Sequence, residues 1–225
     1  VIVSENCPEW SMVAFAVMNL GAALVPIAAI SYAEEILVIA RESGAKFAFF
    51  SRRCAGVKAL PKENLLPHVT WDPQDENPIA NFIYGHEPDK TNAAKVSVDA
   101  PALLIFTSGT TGHPKGVPLS HRNILTNAED ILADIISVSA SDALVGVLPL
   151  SHMFEFTCGL IAPCIAGASI TYVKSLRSED LLHAMRKVHA TILIGVPLLF
   201  EVIARSLESK IADIAVATAD YLRTI

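Results

Sequence analysis

From Trp10 to Ala33 the chain carries no Asp, Glu, Lys or Arg, so this stretch must be buried somewhere. About 20 apolar residues suffice to cross a bilayer as one helix, and the stretch is long enough on that count alone. Its punctuation argues for a different fate. Asn6 with Pro8 behind it marks a helix start, and Gly21 a stop. Pro26 lies in a short apolar segment suited to a strand. Ser31-Tyr-Ala-Glu34 has the spacing of a capping box opening a second helix, which Gly44 ends. A membrane span so interrupted would leave backbone groups unsatisfied in hydrocarbon. The stretch therefore reads as helix, strand, helix in the interior of an α/β protein.

The remaining chain keeps that rhythm. Strands are predicted at Lys46–Ser51, Ala102–Thr107, Lys115–Leu119, Ala143–Leu150, Ser169–Val173 and Thr191–Val196. Helices are predicted from Ser120 to about Ile136, and at Met153–Ala166, Ser178–Val188 and Leu198–Leu207. Residues 52–100, rich in Pro, Asn, Asp and Lys, read as loops with a short helix and an edge strand. After Leu207 the pattern reads as a helix or two. Continuous apolar strands alternating with helices imply an α/β fold, with a largely parallel sheet or sheets flanked by helices.

Composition excludes some functions. The 17 Lys and Arg are scattered and outnumbered by 23 Asp and Glu, which is no footprint for nucleic acid. Cys7, Cys54, Cys158 and Cys164 form no CxxC pair, so they read as reduced, mostly buried thiols of a cytosolic protein. No basic segment precedes an apolar one, so no signal peptide is visible. Peripheral membrane contact and oligomeric state stay open.

The chemistry concentrates in Thr107-Ser-Gly-Thr-Thr-Gly-His-Pro-Lys-Gly116, between two apolar strands. Glycines let backbone N–H groups converge, the hydroxyls of Ser108, Thr110 and Thr111 donate, and Lys115 neutralises charge: an anion cradle. A P-loop would place Gly, four residues, then Gly-Lys and a hydroxyl residue. Here lysine precedes glycine, and the dinucleotide GxGxxG is also absent. A plain polar hairpin is the competing reading, although turn chemistry alone needs fewer hydroxyls. Downstream, His152 follows Leu148-Pro-Leu150 at a strand's C-terminal end, where ligands gather in α/β sheets. Phe156 lies one helical turn further; a helix-capping imidazole is the competing reading for His152, and core packing the better reading for Phe156 on the residues alone. Glu155 is spaced like a metal partner of His152, but a lone HxxE does not carry a site.

The Thr107–Gly116 segment resembles the signature loop of the adenylate-forming (AMP-binding) superfamily. Three further stretches agree: "GVPLSHRN" after it, "ENCPEWSMVAFAVMNLGAALVPI" near the start, and "GVPLLFEVI" late in the chain. "VLPLSHMFE", Val147 to Glu155, is most similar to the form found in long-chain fatty acyl-CoA synthetases. The resemblance implies an ATP-dependent ligase. A carboxylate attacks the α-phosphate of ATP, pyrophosphate leaves, and coenzyme A displaces AMP from the acyl-adenylate. It implies that Thr107, Ser108, Gly109, Thr110, Thr111, Gly112 and Lys115 hold the departing phosphates, with Thr107 a Mg²⁺ ligand. It sets His152 beside the acyl carboxylate, Lys115 and His152 being the catalytic candidates, and Phe156 at the mouth of an acyl tunnel. Small molecules (ATP, a fatty acid, CoA) are the implied partners, in the cytoplasm or at a membrane periphery.

The family's downstream motifs are not recognisable: an adenine segment with a glutamate, a ribose-binding aspartate, a hinge and a lid lysine. Residues 1–225 are accordingly expected to be part of an N-terminal AMP-binding domain without its C-terminal lid, inactive alone. Alternatives are an acyl-carrier-protein or aryl acid ligase, a non-catalytic interaction or membrane-associated module, and an unusual ATPase or kinase-like domain. The missing Lys-Ser pair opposes the last.

Overall fold

A computed structural model of the chain describes residues 1–72, 74, 78–79, 81, 95–108, 114–173, 175 and 177–223. Its first sheet is parallel, with β1 (Ile2–Val3) central and strand order β2-β1-β3-β4, where β2 is Pro26–Ile27, β3 Ala48–Phe50 and β4 His68–Thr70. Helix α1 (Pro8–Asn19) carries the charge-free stretch into the interior, with Trp10, Val13, Ala14 and Met18 buried. Helices α2 (Ala33–Glu42) and α3 (Ala55–Lys58) cover a second cluster, which includes Ile27, Ile36, Ile39 and Phe50. No helix among the described residues is long and apolar enough to cross a membrane.

Strands β5 (Pro101–Ser108) and β6 (Pro114–Ser120) form a hairpin. Its β5 edge meets the segment before β2, where the Leu24 N–H donates to the Ala102 carbonyl and the Leu104 N–H to the Leu24 carbonyl, both at 2.9 Å. A third sheet, parallel, has the order β8-β7-β9, with β7 Ala143–Gly146, β8 Ser169–Tyr172 and β9 Ile192–Leu193. Helices α4 (His121–Asp130), α5 (Ala162–Ala166), α6 (Ser178–Lys187) and α7 (Pro197–Arg223) complete the chain.

The α/β reading with parallel, helix-flanked sheets holds, with local corrections. The hairpin is antiparallel throughout. The capping box expected at Ser31–Glu34 does not form: α2 starts behind Tyr32, with no side-chain bond to its first turn. Ser31 is instead buried in a turn, its N–H donating to the Ala28 carbonyl, against Gly56, where a Cβ would come within 2.0 Å of the Ser31 carbonyl oxygen. A full capping box does occur at Ser120, whose hydroxyl accepts from the Asn123 N–H while Asn123 Oδ1 accepts from the Ser120 N–H. Two predicted helices also change pitch. Helix α4 continues as a π-helix over Ile131–Ile135, and Glu155–Ile161 is π-helical before α5. Strands β7 and β9 are shorter than predicted and α7 is longer. The cysteines are free as expected, but only Cys54 is buried and Cys164 is exposed.

Candidate active site

Thr107 and Lys115 are direct cross-strand partners at the loop end of the hairpin. Opposed residues of an antiparallel pair share a face, with Cβ atoms about 5 Å apart. One hydroxyl and one ammonium therefore stand together, both exposed. Next to Lys115, Gly116 leaves room for side chains of β5: a Cβ there would lie 3.0 Å from Leu104 Cδ1 and 3.2 Å from Phe106 Cζ. Ser108 ends β5, opposite Pro114. Gly109, Thr110, Thr111 and Gly112 lie outside the described residues. The Thr107–Lys115 pair suits a phosphate, since a cation and a hydroxyl donor converge on it. For Mg²⁺ the Thr107 hydroxyl offers one hard oxygen, and phosphate oxygens and waters ordinarily supply the rest.

The second element is the turn after β7. Asn6, at the head of α1, staples it from 142 residues away: its Nδ2 donates to the Leu148 carbonyl at 2.6 Å. The Leu150 N–H donates back to Asn6 Oδ1 at 2.9 Å. Sequence reasoning treated Asn6 only as a helix-start signal. The turn delivers His152, which is exposed, with its N–H bonded to the Pro149 carbonyl. Among the described residues no hydrogen bond or ion pair joins His152 to Thr107 or Lys115. Replacing Asn6 by Ala orphans two backbone groups, each costing about 1 kcal/mol or more. The variant should lose roughly 2 kcal/mol of stability by urea melts, and an unchanged midpoint would show that the staple is dispensable.

Phe156 is placed in the core. It is 1% exposed and meets the Trp10 ring edge-on, centroids 6.0 Å apart. The cavity wall is made by its neighbours. An apolar cavity of about 480 Å³ opens against Met153, Thr157, Cys158 and Ala162 of this segment, with Ile131 and Ile135 facing them. No charged side chain lines it.

In the sequence, Glu155 of this segment was weighed only as a metal partner of His152. Glu155 is the only Asp, Glu, Lys or Arg between Asp142 and Lys174, and that isolation was the available signal. Its side chain is fully buried, and neither carboxyl oxygen has a hydrogen-bond partner among the described residues. Burial alone pushes its pKa up to about 8, because desolvation penalises the charged form. Two glycines make the slot that holds it. A Cβ on Gly159 would lie 2.5 Å from Glu155 Cδ, and one on Gly146 would lie 3.0 Å from Oε1.

The sequence profile of the family described as AMP-binding enzyme matches residues 1–224. Among similar proteins, the long-chain-fatty-acid–CoA ligase heimdall of Drosophila melanogaster is 28% identical over 89% of this chain and 32% of its own length. The oxalate–CoA ligase of Arabidopsis thaliana is 29% identical over 88% of this chain and 40% of its own. A malonyl-CoA ligase solved as a ternary product complex with methylmalonyl-CoA and AMP superposes with a TM-score of 0.73 at 26% identity. That match covers 92% of this chain and 42% of the ligase. The chain thus spans about a third to two-fifths of the proteins it resembles.

Proposed function

The chain belongs to the AMP-binding enzyme family, and from that premise we propose that it forms the phosphate- and acyl-binding part of an ATP-dependent ligase joining a long-chain fatty acid to coenzyme A. The observation that carries the acyl assignment is the apolar cavity walled by Met153, Thr157, Cys158 and Ala162, next to the His152 turn. Relatives of similar identity are named for oxalate as well as for long-chain acids. A small dicarboxylate would need a cation for its second charge, and the cavity lining offers none. An alkyl chain needs only the apolar walls. An aryl acid is separated from it by experiment.

In this reading the fatty acid carboxylate lies at His152 and its chain runs into the cavity. Adenylation forms a bond from a carboxylate oxygen to the α-phosphorus of ATP, and pyrophosphate departs with the electron pair of the broken P–O bond. CoA thiolate then attacks the acyl carbon and AMP leaves. Lys115 and the hydroxyl of Thr107 hold the phosphates that depart, by charge and hydrogen bonding placed where charge accumulates. Thr107 would also be the chain's oxygen toward Mg²⁺, which supplies charge neutralisation to the phosphates. The residues after Ser108, Gly109 to Gly112, are assigned to the same cradle by the family's loop pattern.

The test is a series of straight-chain acids from acetate to stearate, with benzoate alongside, on the intact enzyme. Each buried methylene contributes about 0.8 kcal/mol, so KM should fall roughly fourfold per methylene until the cavity is full. Because Phe156 is packed in the core, the informative variant is Cys158→Phe, which narrows the cavity and should shorten the preferred acid. Benzoate or acetate as the best substrate, with the variant leaving the profile untouched, would refute the fatty-acid assignment while sparing adenylation.

A further inference from the structure

Glu155 begins the π-helical segment Glu155–Ile161, in which Thr157 and Cys158 form part of the cavity wall. Its buried side holds Glu155, Phe156, Gly159 and Leu160, while Met153, Thr157 and Cys158 line the cavity. A π turn carries an extra residue relative to the α-helix and is common at functional sites. In this turn the Ala162 N–H reaches back to the Thr157 carbonyl. The carboxyl end of Glu155 lies under Gly159, in space that any larger residue would occupy. Wall and plug are thus parts of one segment. The segment also ties back to the His152 carbonyl, to which the Phe156 N–H donates at 2.9 Å.

Resting on the reading that this cavity takes the acyl chain, we infer that Glu155 is a positioning residue for acyl selection. Its uncharged side chain, locked in the Gly146–Gly159 slot, holds the π-helical wall that sets how the acid is accepted. The slot offers a charged carboxylate nothing. The titratable groups facing it are the Tyr172 phenol on β8 and the Cys158 thiol on its own segment, with Cys7 and Cys164 beyond Tyr172. None of these is a cation. The Tyr172 hydroxyl is engaged with Ser11 Oγ at 2.7 Å. An ionised Glu155 must leave the slot, and the wall moves with it.

The experiment measures KM for the preferred acid and for ATP between pH 7 and 9 in the intact enzyme. With a Glu155 pKa of about 8, roughly a tenth of the protein stays in the binding-competent form at pH 9, so KM for the acid should rise about tenfold. KM for ATP serves as the internal control and should stay level. Glu155→Gln, uncharged and of the same shape, should hold the acid KM flat across that range and keep the acid-length profile of the parent at pH 7. Gly159→Ala, which invades the slot, should change the length profile while Glu155→Gln does not. A Gln variant that follows the parent's pH dependence would overturn the inference, as would an ATP KM that rises in step with that of the acid. A parent enzyme with no acid-length dependence at all would instead sink the fatty-acid reading. A length-dependent parent whose profile ignores Gly159→Ala would remove Glu155's role alone.

Discussion

Replacing Lys115 by Ala should slow adenylation by about 10²-fold, the scale for losing one positioned stabilising group. The side chain is exposed on β6, so its removal strips charge from the cradle without opening a cavity in the fold. Its cross-strand partner Thr107 stays where the hairpin register puts it. The effect should be selective in time. Adenylation concentrates negative charge on the departing pyrophosphate, whereas thioester formation begins after that group has gone. Pyrophosphate exchange should therefore show the loss, while single-turnover thioester formation from preformed acyl-adenylate should be nearly unchanged. Lys115→Arg keeps the charge but swaps a compact ammonium for a planar fork, so it should recover part of the rate. Equal losses in both half-reactions would show that this hairpin does not hold the departing phosphates.

Much of this architecture was legible because local signals and burial agree. The charge-free run broke at Gly21 and Pro26 where the structure breaks it, and Ser120 capped the helix it was expected to cap. The antiparallel hairpin was legible too, and a polar hairpin stood as the competing reading of this loop. Parallel neighbours need a crossover of a dozen or more residues, and the loop between Ser108 and Pro114 is far shorter. Other features had no sequence signal. Ile131, Leu132 and Ile135 fit helical spacing, and that pattern does not separate a π turn from an α turn. Ser31 is packed against Gly56 rather than capping α2, and the Asn6 staple depends on a turn 142 residues away. Contacts at that separation are set by packing, which propensity does not encode. At the site, Thr107 and Lys115 could be paired from the loop's pattern, whereas Phe156 went into the core because Trp10 offers it an aromatic edge. Glu155 was visible as a lone acid in an apolar run, but it had been weighed only as a metal ligand. Its partners are two glycines, which announce nothing until the chain is folded.

The same carboxyl should make stability fall as pH rises, the reverse of the usual behaviour of a paired carboxylate. Its pKa is raised from 4.5 to about 8 in the folded protein, so between those values the folded state holds a proton that the unfolded chain has released. Unfolding then releases a proton, and its free energy drops by about 1.4 kcal/mol per pH unit from this group. The contribution is fully present below the unfolded value and is lost as pH climbs through the folded one. From pH 5.5 to 8 it amounts to roughly 3 kcal/mol, an upper figure because an ionised Glu155 relaxes out of its slot. The lowered pKa values of Asp99, Asp142 and Asp180 act in acid, outside this window. The decisive quantity is therefore the difference between the parent and Glu155→Gln, measured by urea melts at several pH values. The variant carries every other titrating group but lacks the carboxyl. The stability gap between the two proteins should change by a few kcal/mol over that range, with the parent losing ground as pH rises. A gap independent of pH would mean that Glu155 ionises in its slot as readily as in water, and the buried neutral acid would be refuted.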